Sequence, residues 1–387
     1  MPDLPKTIAI LGSTGSIGQS TLEVVRSSAG SLRVFALTAN KSLDLLCRQA
    51  AEFQPPWVVA TDAAEAERFD WSQLPRETRL LVGSEGLQQV VAAAEVETVV
   101  AAVVGSAGLT GTWAALEAGK TVALANKETL VMAGPLVMKL AASRQAKILP
   151  VDSEHSAVFQ ALAAGEREDL RRIILTASGG PFRKFTRQQM EGVSVKDALS
   201  HPTWTMGPKI TVDSATMMNK ALEIIEARWL FDLPPEQIDV VIHPQSVVHS
   251  LVEYRDGSVL AQLSPPDMKL PIQFALTWPR RHPSPARKLD LSQSLHLEFE
   301  PPDEERFPAL ALGREVARAG GTAGAVLNAA NEAAVAAFLA GKLGFMQIVP
   351  ACQSVLKHHP FDSAPTLDEL LRLDAWARLE VTRWITA

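Results

Sequence analysis

Residues 7–28 read TIAILGSTGSIGQSTLEVVRSS. An apolar run, TIAIL, ends in LGSTGSIGQS (11–20), and a helical pattern, TLEVVRSS, follows. Gly12, Gly15 and Gly18 make a G-x-x-G-x-x-G loop between strand and helix. Glycines let a backbone turn tightly and approach a pyrophosphate, which rests on the helix N-terminus. Thr14 and Ser16 add hydroxyl donors. A tight turn alone would also use glycines, but the strand before and the helix after favour a dinucleotide site.

The same rhythm continues outward from this loop. RVFAL, WVVA, RLLV, TVVAAVV, TVALA and AKILPV read as further buried strands, with helices such as LDLLCRQAAEF and GLQQVVAAAE between them. Near-continuous apolar strands alternating with helices predict an α/β fold with a Rossmann-like, doubly wound parallel sheet over residues 1–151. The pattern then changes. RRIILTASGG (171–180) is a strand running into a glycine pair, 214–230 is strongly helical, and VVHSLVEYRDGSVLAQL (247–263) is a hairpin around Arg255, Asp256 and Gly257. These predict a central α+β domain with an antiparallel part over 152–279. A proline-rich, charged passage, 280–308, reads as a linker. Residues 309–387 keep helical periodicity almost throughout and predict a C-terminal helical domain.

The chain has 387 residues, 47% of them hydrophobic, enough for two or three domains with real cores. A net charge of −6, with no clustered basic patch, argues against nucleic-acid or membrane-surface partners. No segment has the roughly 18 consecutive apolar residues of a membrane span. MPDLPK passes directly into the first strand without a leader pattern, and Cys47 and Cys352 form neither a disulfide framework nor a metal spacing. The expectation is a cytoplasmic protein.

The second strand ends in ALTANKS (36–42). An NAD site wants a carboxylate there for the ribose hydroxyls. Asn40, Lys41 and Ser42 stand there instead, with no acid before Asp44, and a lysine suits the 2′-phosphate of NADP.

VDSEHSA (151–157) sets Asp152 and Glu154 two apart. In a strand such residues share a face with Cα atoms about 6.6 Å apart and can converge on one cation. A third ligand is offered by SATMMNKALEIIEARW, where Asn219, Glu223 and Glu226 form one helical stripe beside Lys220, opposite Leu222, Ile225 and Trp229. An oxygen-only carboxylate set suits Mg²⁺ or Mn²⁺, not zinc. ASGG (177–180) and VDSATMMNK (212–220) offer hydroxyls, backbone N–H groups and a lysine, a combination that holds phosphate monoesters.

GSTGSIG (12–18), LANKE (124–128), VDSEHSA (151–157), TASGGPFR (176–183), HPTWTMGPKITVDSATMMNKALE (201–223), IHPQSVVHSLVEY (242–254), PPDMKLPIQ (265–273) and LNAANEAAVAAFL (327–339) together resemble the 1-deoxy-D-xylulose 5-phosphate reductoisomerase family across nearly the whole chain. The resemblance implies an NADPH domain, a central catalytic and dimerising domain, a linker and a helical C-terminal domain. It implies metal ligation by Asp152, Glu154 and Glu223, and substrate contacts from Lys127, Ser153, Glu154, Ser178, His201, Ser214, Asn219, Lys220 and Glu223. Cofactor contacts would fall to Thr14, Gly15, Ser16, Ile17, Asn40, Lys41, Ser42, Asn126, Glu128 and Gly207. Residues 40–42 depart from the glycine–basic–asparagine pattern frequent in relatives, and Ala221 replaces a common glycine.

The implied reaction rearranges a phosphorylated ketose, 1-deoxy-D-xylulose 5-phosphate, by metal-assisted cleavage and re-formation of a carbon–carbon bond. NADPH then reduces the branched aldehyde to 2-C-methyl-D-erythritol 4-phosphate, in non-mevalonate isoprenoid synthesis. His155, His243 and His249 take no assigned role, and His249 alternates with apolar hairpin positions as a structural histidine would. Residues 198–209, ALSHPTWTMGPK, lack periodicity and are expected to cross the surface as a lid, with Trp204 closing over the substrate and His201 approaching its phosphate. Two other readings compete. An NADP-dependent dehydrogenase of the aspartate-semialdehyde type needs a reactive cysteine, for which neither Cys47 nor Cys352 has the setting. A non-catalytic nucleotide-sensing Rossmann protein has no use for convergent carboxylates beside a phosphate pocket.

Overall fold

The computed structural model describes residues 5–204 and 206–386; residues 1–4, Thr205 and Ala387 lie outside it. Seven parallel strands form the first sheet: β1 (Lys6–Leu11), β2 (Leu32–Ala39), β3 (Trp57–Ala60), β4 (Arg79–Val82), β5 (Thr98–Ala101), β6 (Thr121–Leu124) and β7 (Ile148–Pro150). Their order is β4-β3-β2-β1-β5-β6-β7. All seven strands expected from the apolar runs are present. β4 alone departs from the buried expectation: it is one of the two sheet edges, and its residues are exposed or half-buried. The order reverses direction between β1 and β5, which opens a crevice at the strands' carboxyl ends where α/β proteins take their ligands.

The glycine loop sits at that switch point. Gly12 has φ +79°, and a Cβ there would lie 2.9 Å from the carbonyl oxygen of Ala102, just past β5. A Cβ on Gly18 would lie 2.3 Å from the Gly12 oxygen and 2.5 Å from Ser13 Cα. Both positions therefore demand glycine. The Ser16–Ser27 helix begins immediately after Gly15, so its free N–H groups open onto the crevice.

A second sheet has the order β11-β10-β8-β9. β8 (Leu170–Ala177) pairs in parallel with β9 (Ile238–Ile242) and antiparallel with β10 (Val248–Tyr254), which turns back into β11 (Val259–Leu263). The expected strand and hairpin are both there. β9 is the addition, a five-residue strand between two proline-containing segments. The region from Ala309 on is helical as anticipated, with helices Ala309–Ala319, Ala323–Leu339, Ile348–His358 and Leu367–Thr386.

Contacts divide the chain into two compact units, Met1–Asn126 with Val137–Ser156 and Asp267–Arg287, and Lys127–Leu136 with Ala157–Pro266 and Lys288–Ala387. The first is built on the parallel sheet, against whose Ser16–Ser27 helix the Lys269–Thr277 helix packs; Lys269 Nζ lies 3.2 Å from Glu23 Oε2. The second holds the mixed sheet and the C-terminal helices over a shared core that includes Phe182, Leu222, Ile225, Val326 and Leu327. Among the described residues no helix is long and apolar enough to cross a membrane.

Two local expectations are corrected. The helix expected over 214–230 is interrupted: Pro208–Ala215 and Met218–Leu230 are separate, and Met217 between them adopts φ +62°. The Met218–Leu230 helix is also not an amphipathic surface helix, because every residue from Lys220 to Ala227 is buried. The mixed sheet, the C-terminal helices and the rest of the unit's core enclose it, so its polar stripe faces protein instead of water.

Candidate active site

Asp152 and Glu154 do not share the face of a strand. β7 ends at Pro150, and Ser153–Leu162 is a helix with Glu154 in its first turn. The backbone oxygen of Asp152 accepts from Ser156 N at 2.8 Å, closing the first turn. Two carboxylates at a helix start gain from its exposed N–H groups, a preference that outweighs the strand reading of the apolar run before them. Ser153 Oγ donates to Glu154 Oε2 at 2.5 Å.

Glu223 is fully buried and both its oxygens are engaged. Lys127 Nζ donates to Oε1 at 3.2 Å, Asn219 Nδ2 donates to the same oxygen at 2.5 Å, and the Lys220 ammonium donates to Oε2. Lys127 also donates to Asn219 Oδ1 at 2.8 Å. Lys127 opens the Lys127–Ser143 helix, while the other three residues share one face of Met218–Leu230. A carboxylate buried this deeply needs such donors to remain ionised. The four residues named from motifs 92 to 96 positions apart thus form one bonded cluster.

The anion-binding segments also converge. Gly179 and Gly180 take φ +81° and +67°, and a Cβ on Gly180 would lie 2.6 Å from the backbone oxygen of Ser214. This close approach sets ASGG against the Pro208–Ala215 helix. Ser178 Oγ lies 3.0 Å from His201 Nε2 and accepts from Gly180 N at 3.2 Å. His201 Nδ1 accepts from the N–H groups of Thr203 (3.2 Å) and Trp204 (2.9 Å), so Nε2 carries the proton and points at Ser178. Burial holds the imidazole below its ordinary pKa. Residues 199–204, 206 and 207 are exposed or half-buried, as expected of a surface segment, and the half-buried Trp204 ring has its centroid 6.4 Å from that of His249.

Of the residues considered for the cofactor, Thr14, Gly15, Ser16 and Ile17 occupy the glycine loop and the first helical turn. Asn40, Lys41 and Ser42 are exposed beyond β2, and Asn40 Nδ2 donates to Thr61 Oγ1 at 3.2 Å. Asn126 is buried, donating to the Gly105 oxygen at 2.9 Å. Glu128 is buried and bonded to Lys209 Nζ at 2.9 Å; burial disfavours its charge, but the lysine holds its pKa below the usual carboxylate value. Gly207 is exposed and caps the Pro208–Ala215 helix. Lys209 and its partner Asp213 were not singled out from the sequence; a lysine and an aspartate four apart in a helix was the available signal.

Two histidines bond to neighbouring chain segments. His243 Nε2 accepts from the N–H groups of Val247 and Val248, and His249 Nε2 meets Ser264 at 3.0–3.1 Å. Both cysteines are buried in helices, and burial raises their thiol pKa values, which leaves no reactive thiolate.

A switch-point glycine loop, a second strand ending without a carboxylate, and a separate polar cluster of phosphate-type donors and buried charge define an NADP-dependent oxidoreductase. Family models for 1-deoxy-D-xylulose 5-phosphate reductoisomerase match residues 8–134, and models for that enzyme's C-terminal domain match 148–231 and 263–380. Reductoisomerases of Geobacter sp. (strain M21) and Chlorobaculum tepidum are 53% and 52% identical to this chain, each over 96% of it and over 97% and 98% of their own length. A crystal structure of a reductoisomerase with NADPH, fosmidomycin and magnesium superimposes with a TM-score of 0.92 at 45% identity, covering 98% of both chains. The Zymomonas mobilis enzyme with NADPH gives 0.90 at 42% identity, covering 98% of this chain and 99% of that one. The chain belongs to the 1-deoxy-D-xylulose 5-phosphate reductoisomerase family. It carries out the NADPH-dependent conversion of 1-deoxy-D-xylulose 5-phosphate to 2-C-methyl-D-erythritol 4-phosphate. With no reactive cysteine and with its membership of an enzyme family, it fits neither the semialdehyde-dehydrogenase nor the nucleotide-sensor reading.

Proposed function

We propose how the residues divide this reaction. Asp152, Glu154 and Glu223 hold a divalent magnesium or manganese ion, which when bound supplies a Lewis acid for the substrate's carbonyl and hydroxyl oxygens. The fit rests on chemistry: three carboxylates and no sulfur or imidazole are the donor set of a hard cation. Ser178, His201, Ser214, Asn219 and Lys220 bind the phosphate of the ketose, with the His201 Nε2–H and the Ser178 hydroxyl as neutral donors and Lys220 as the cation. Lys127, Ser153 and Glu154 orient the reacting oxygens.

Thr14, Gly15, Ser16 and Ile17 receive the pyrophosphate of NADPH, which supplies hydride. The Ser16–Ser27 helix, which starts just after Gly15 with no acidic residue in its first turn, supports that fit. Asn40, Lys41 and Ser42 flank the 2′-phosphate; Asn126, Glu128 and Gly207 line the nicotinamide end. The segment 198–209 is a lid, and Trp204 closes over the substrate to exclude water from the aldehyde before reduction.

The observation that carries this reading is the buried cluster of Lys127, Asn219, Lys220 and Glu223, in which residues assigned to substrate and metal already hold one another in place. The chain works as a cytoplasmic homodimer through its central domain. β11, an edge strand with Val259, Leu260 and Leu263 exposed, supports such pairing. The proposed functional division is 1–151 for NADPH, 152–279 for catalysis and dimerisation, 280–308 as linker and 309–387 as the helical domain; it differs from the division by contacts, which places 127–136 in the second unit and 267–287 in the first.

The deciding experiment follows NADPH absorbance with 1-deoxy-D-xylulose 5-phosphate, with and without Mn²⁺ or Mg²⁺. Oxidation that requires both ketose phosphate and ion supports the assignment; ion-independent oxidation contradicts it.

A further inference from the structure

Lys209 ends the proposed lid segment and has no ligand role above, yet its ammonium is held by two buried carboxylates. Nζ lies 2.9 Å from Glu128 Oε1 and 2.9 Å from Asp213 Oδ2. Asp213 Oδ1 in turn accepts from Asn331 Nδ2 at 2.8 Å. Asn331 belongs to the Ala323–Leu339 helix, where its neighbour Glu332 pairs with Arg378 at 2.7 Å. Glu128, Asp213 and Asn331 are all buried.

The helix dipole and burial both disfavour this arrangement. Lys209 is the second residue of the Pro208–Ala215 helix, at the positive end of its dipole, and Asp213 lies toward the negative end. Burial disfavours the ammonium, but Asp213 and Glu128 outweigh it and hold the lysine pKa above its ordinary value, so the charge stays. Apolar residues of similar size would serve stability as well as a buried ion cluster. What the cluster supplies instead is geometry. It joins three points: the end of the 199–207 segment at Gly207, the helix start where Lys127 reaches Asn219 and Glu223, and the C-terminal helices through Asn331.

We infer that Lys209 is a positioning residue that pins the pivot of the 199–207 segment to the Lys127 helix start and, through Asp213 and Asn331, to the C-terminal helices. The C-terminal helical region thereby acts on substrate capture without contributing a ligand to it. The inference rests on the proposal that 198–209 closes over substrate.

Limited proteolysis within 199–207 and steady-state kinetics test it on the full chain, with fosmidomycin, magnesium and NADPH as the closing ligands. The unsubstituted chain should become protected when they bind. Lys209→Met should lose that protection and raise substrate KM about tenfold, with kcat changed by less than about threefold. Lys209→Arg should restore most of both. Asn331→Ala, remote from the proposed substrate contacts, should shift KM severalfold in the same direction, and it decides the matter if Lys209→Met does not fold. A protected Lys209→Met segment with unchanged KM overturns the inference alone, as does a fall in kcat at constant KM or, where only Asn331→Ala can be measured, an unchanged KM. An unprotected segment in the unsubstituted chain overturns the closure reading and the inference with it.

Discussion

The ammonium of Lys127 lies 3.2 Å from Oε1 of Glu223, and the two side chains are 7% and 0% exposed. Lys220 donates to the other oxygen, so one buried carboxylate binds two buried cations. Asp152 and Glu154, by contrast, are half-buried at a helix start. The three proposed metal ligands therefore differ in what else depends on them.

Asp152→Asn, Glu154→Gln and Glu223→Gln should each nearly abolish turnover while leaving NADPH binding intact. Glu223→Gln should in addition destabilise the fold, by about 3–5 kcal/mol, because it removes the buried carboxylate that Lys127 and Lys220 both bind. Denaturant melts paired with fluorescence titration of NADPH separate the two effects. Glu226→Gln should keep most activity; an essential Glu226 with a dispensable Glu223 would reverse the ligand assignment.

Activity with NADPH should exceed that with NADH by at least about tenfold, the worth of one charge-assisted bond. Lys41→Ala should narrow the gap chiefly through the KM for NADPH. Kinetics with both nucleotides decide this, and equal use of the two by the unsubstituted enzyme would remove the 2′-phosphate role.

His201 should titrate below the ordinary histidine value of 6.5 in the ligand-free protein, because burial disfavours its charge and Nδ1 already accepts two backbone N–H groups. The unfolded chain then takes up this proton at a higher pH than the folded one. The histidine's contribution to stability is whole above about pH 6.5 and declines as pH falls from there through the folded pKa. NMR titration of the imidazole gives the midpoint, and His201→Gln should flatten that part of the stability–pH curve. A ligand-free midpoint above 6.5 would contradict the neutral-donor role.

Trp204→Ala should raise substrate KM and lower kcat/KM by about 10–100-fold, the worth of one buried aromatic contact at about 1.5–3 kcal/mol. An alanine variant with unchanged kcat/KM and unchanged thermal stability would mean that the segment is no lid.

Local sequence was enough for whatever depends on neighbouring residues. The G-x-x-G-x-x-G loop reads directly because Gly12 and Gly18 stand where no Cβ fits, and a strand-to-helix turn is only a few residues long. The seven apolar runs read as strands and the tail as helices because period and length are properties of short windows. The full set of proposed site residues came from the family resemblance and not from spacing alone.

Tertiary structure decided the rest, because burial and charge pairing depend on residues far apart in the chain. VDSEHSA turns into a helix, so Asp152 and Glu154 present their carboxylates from a first turn and not from a pleat. Met218–Leu230 shows an amphipathic stripe in sequence, yet packing buries it from Lys220 to Ala227, and Glu223 becomes a buried carboxylate whose partner Lys127 is 96 residues away. Asp213 meets Asn331 across 118 residues. No periodicity encodes such pairs. They form only once the apolar surfaces that carry these residues have packed, and water no longer competes for their charges.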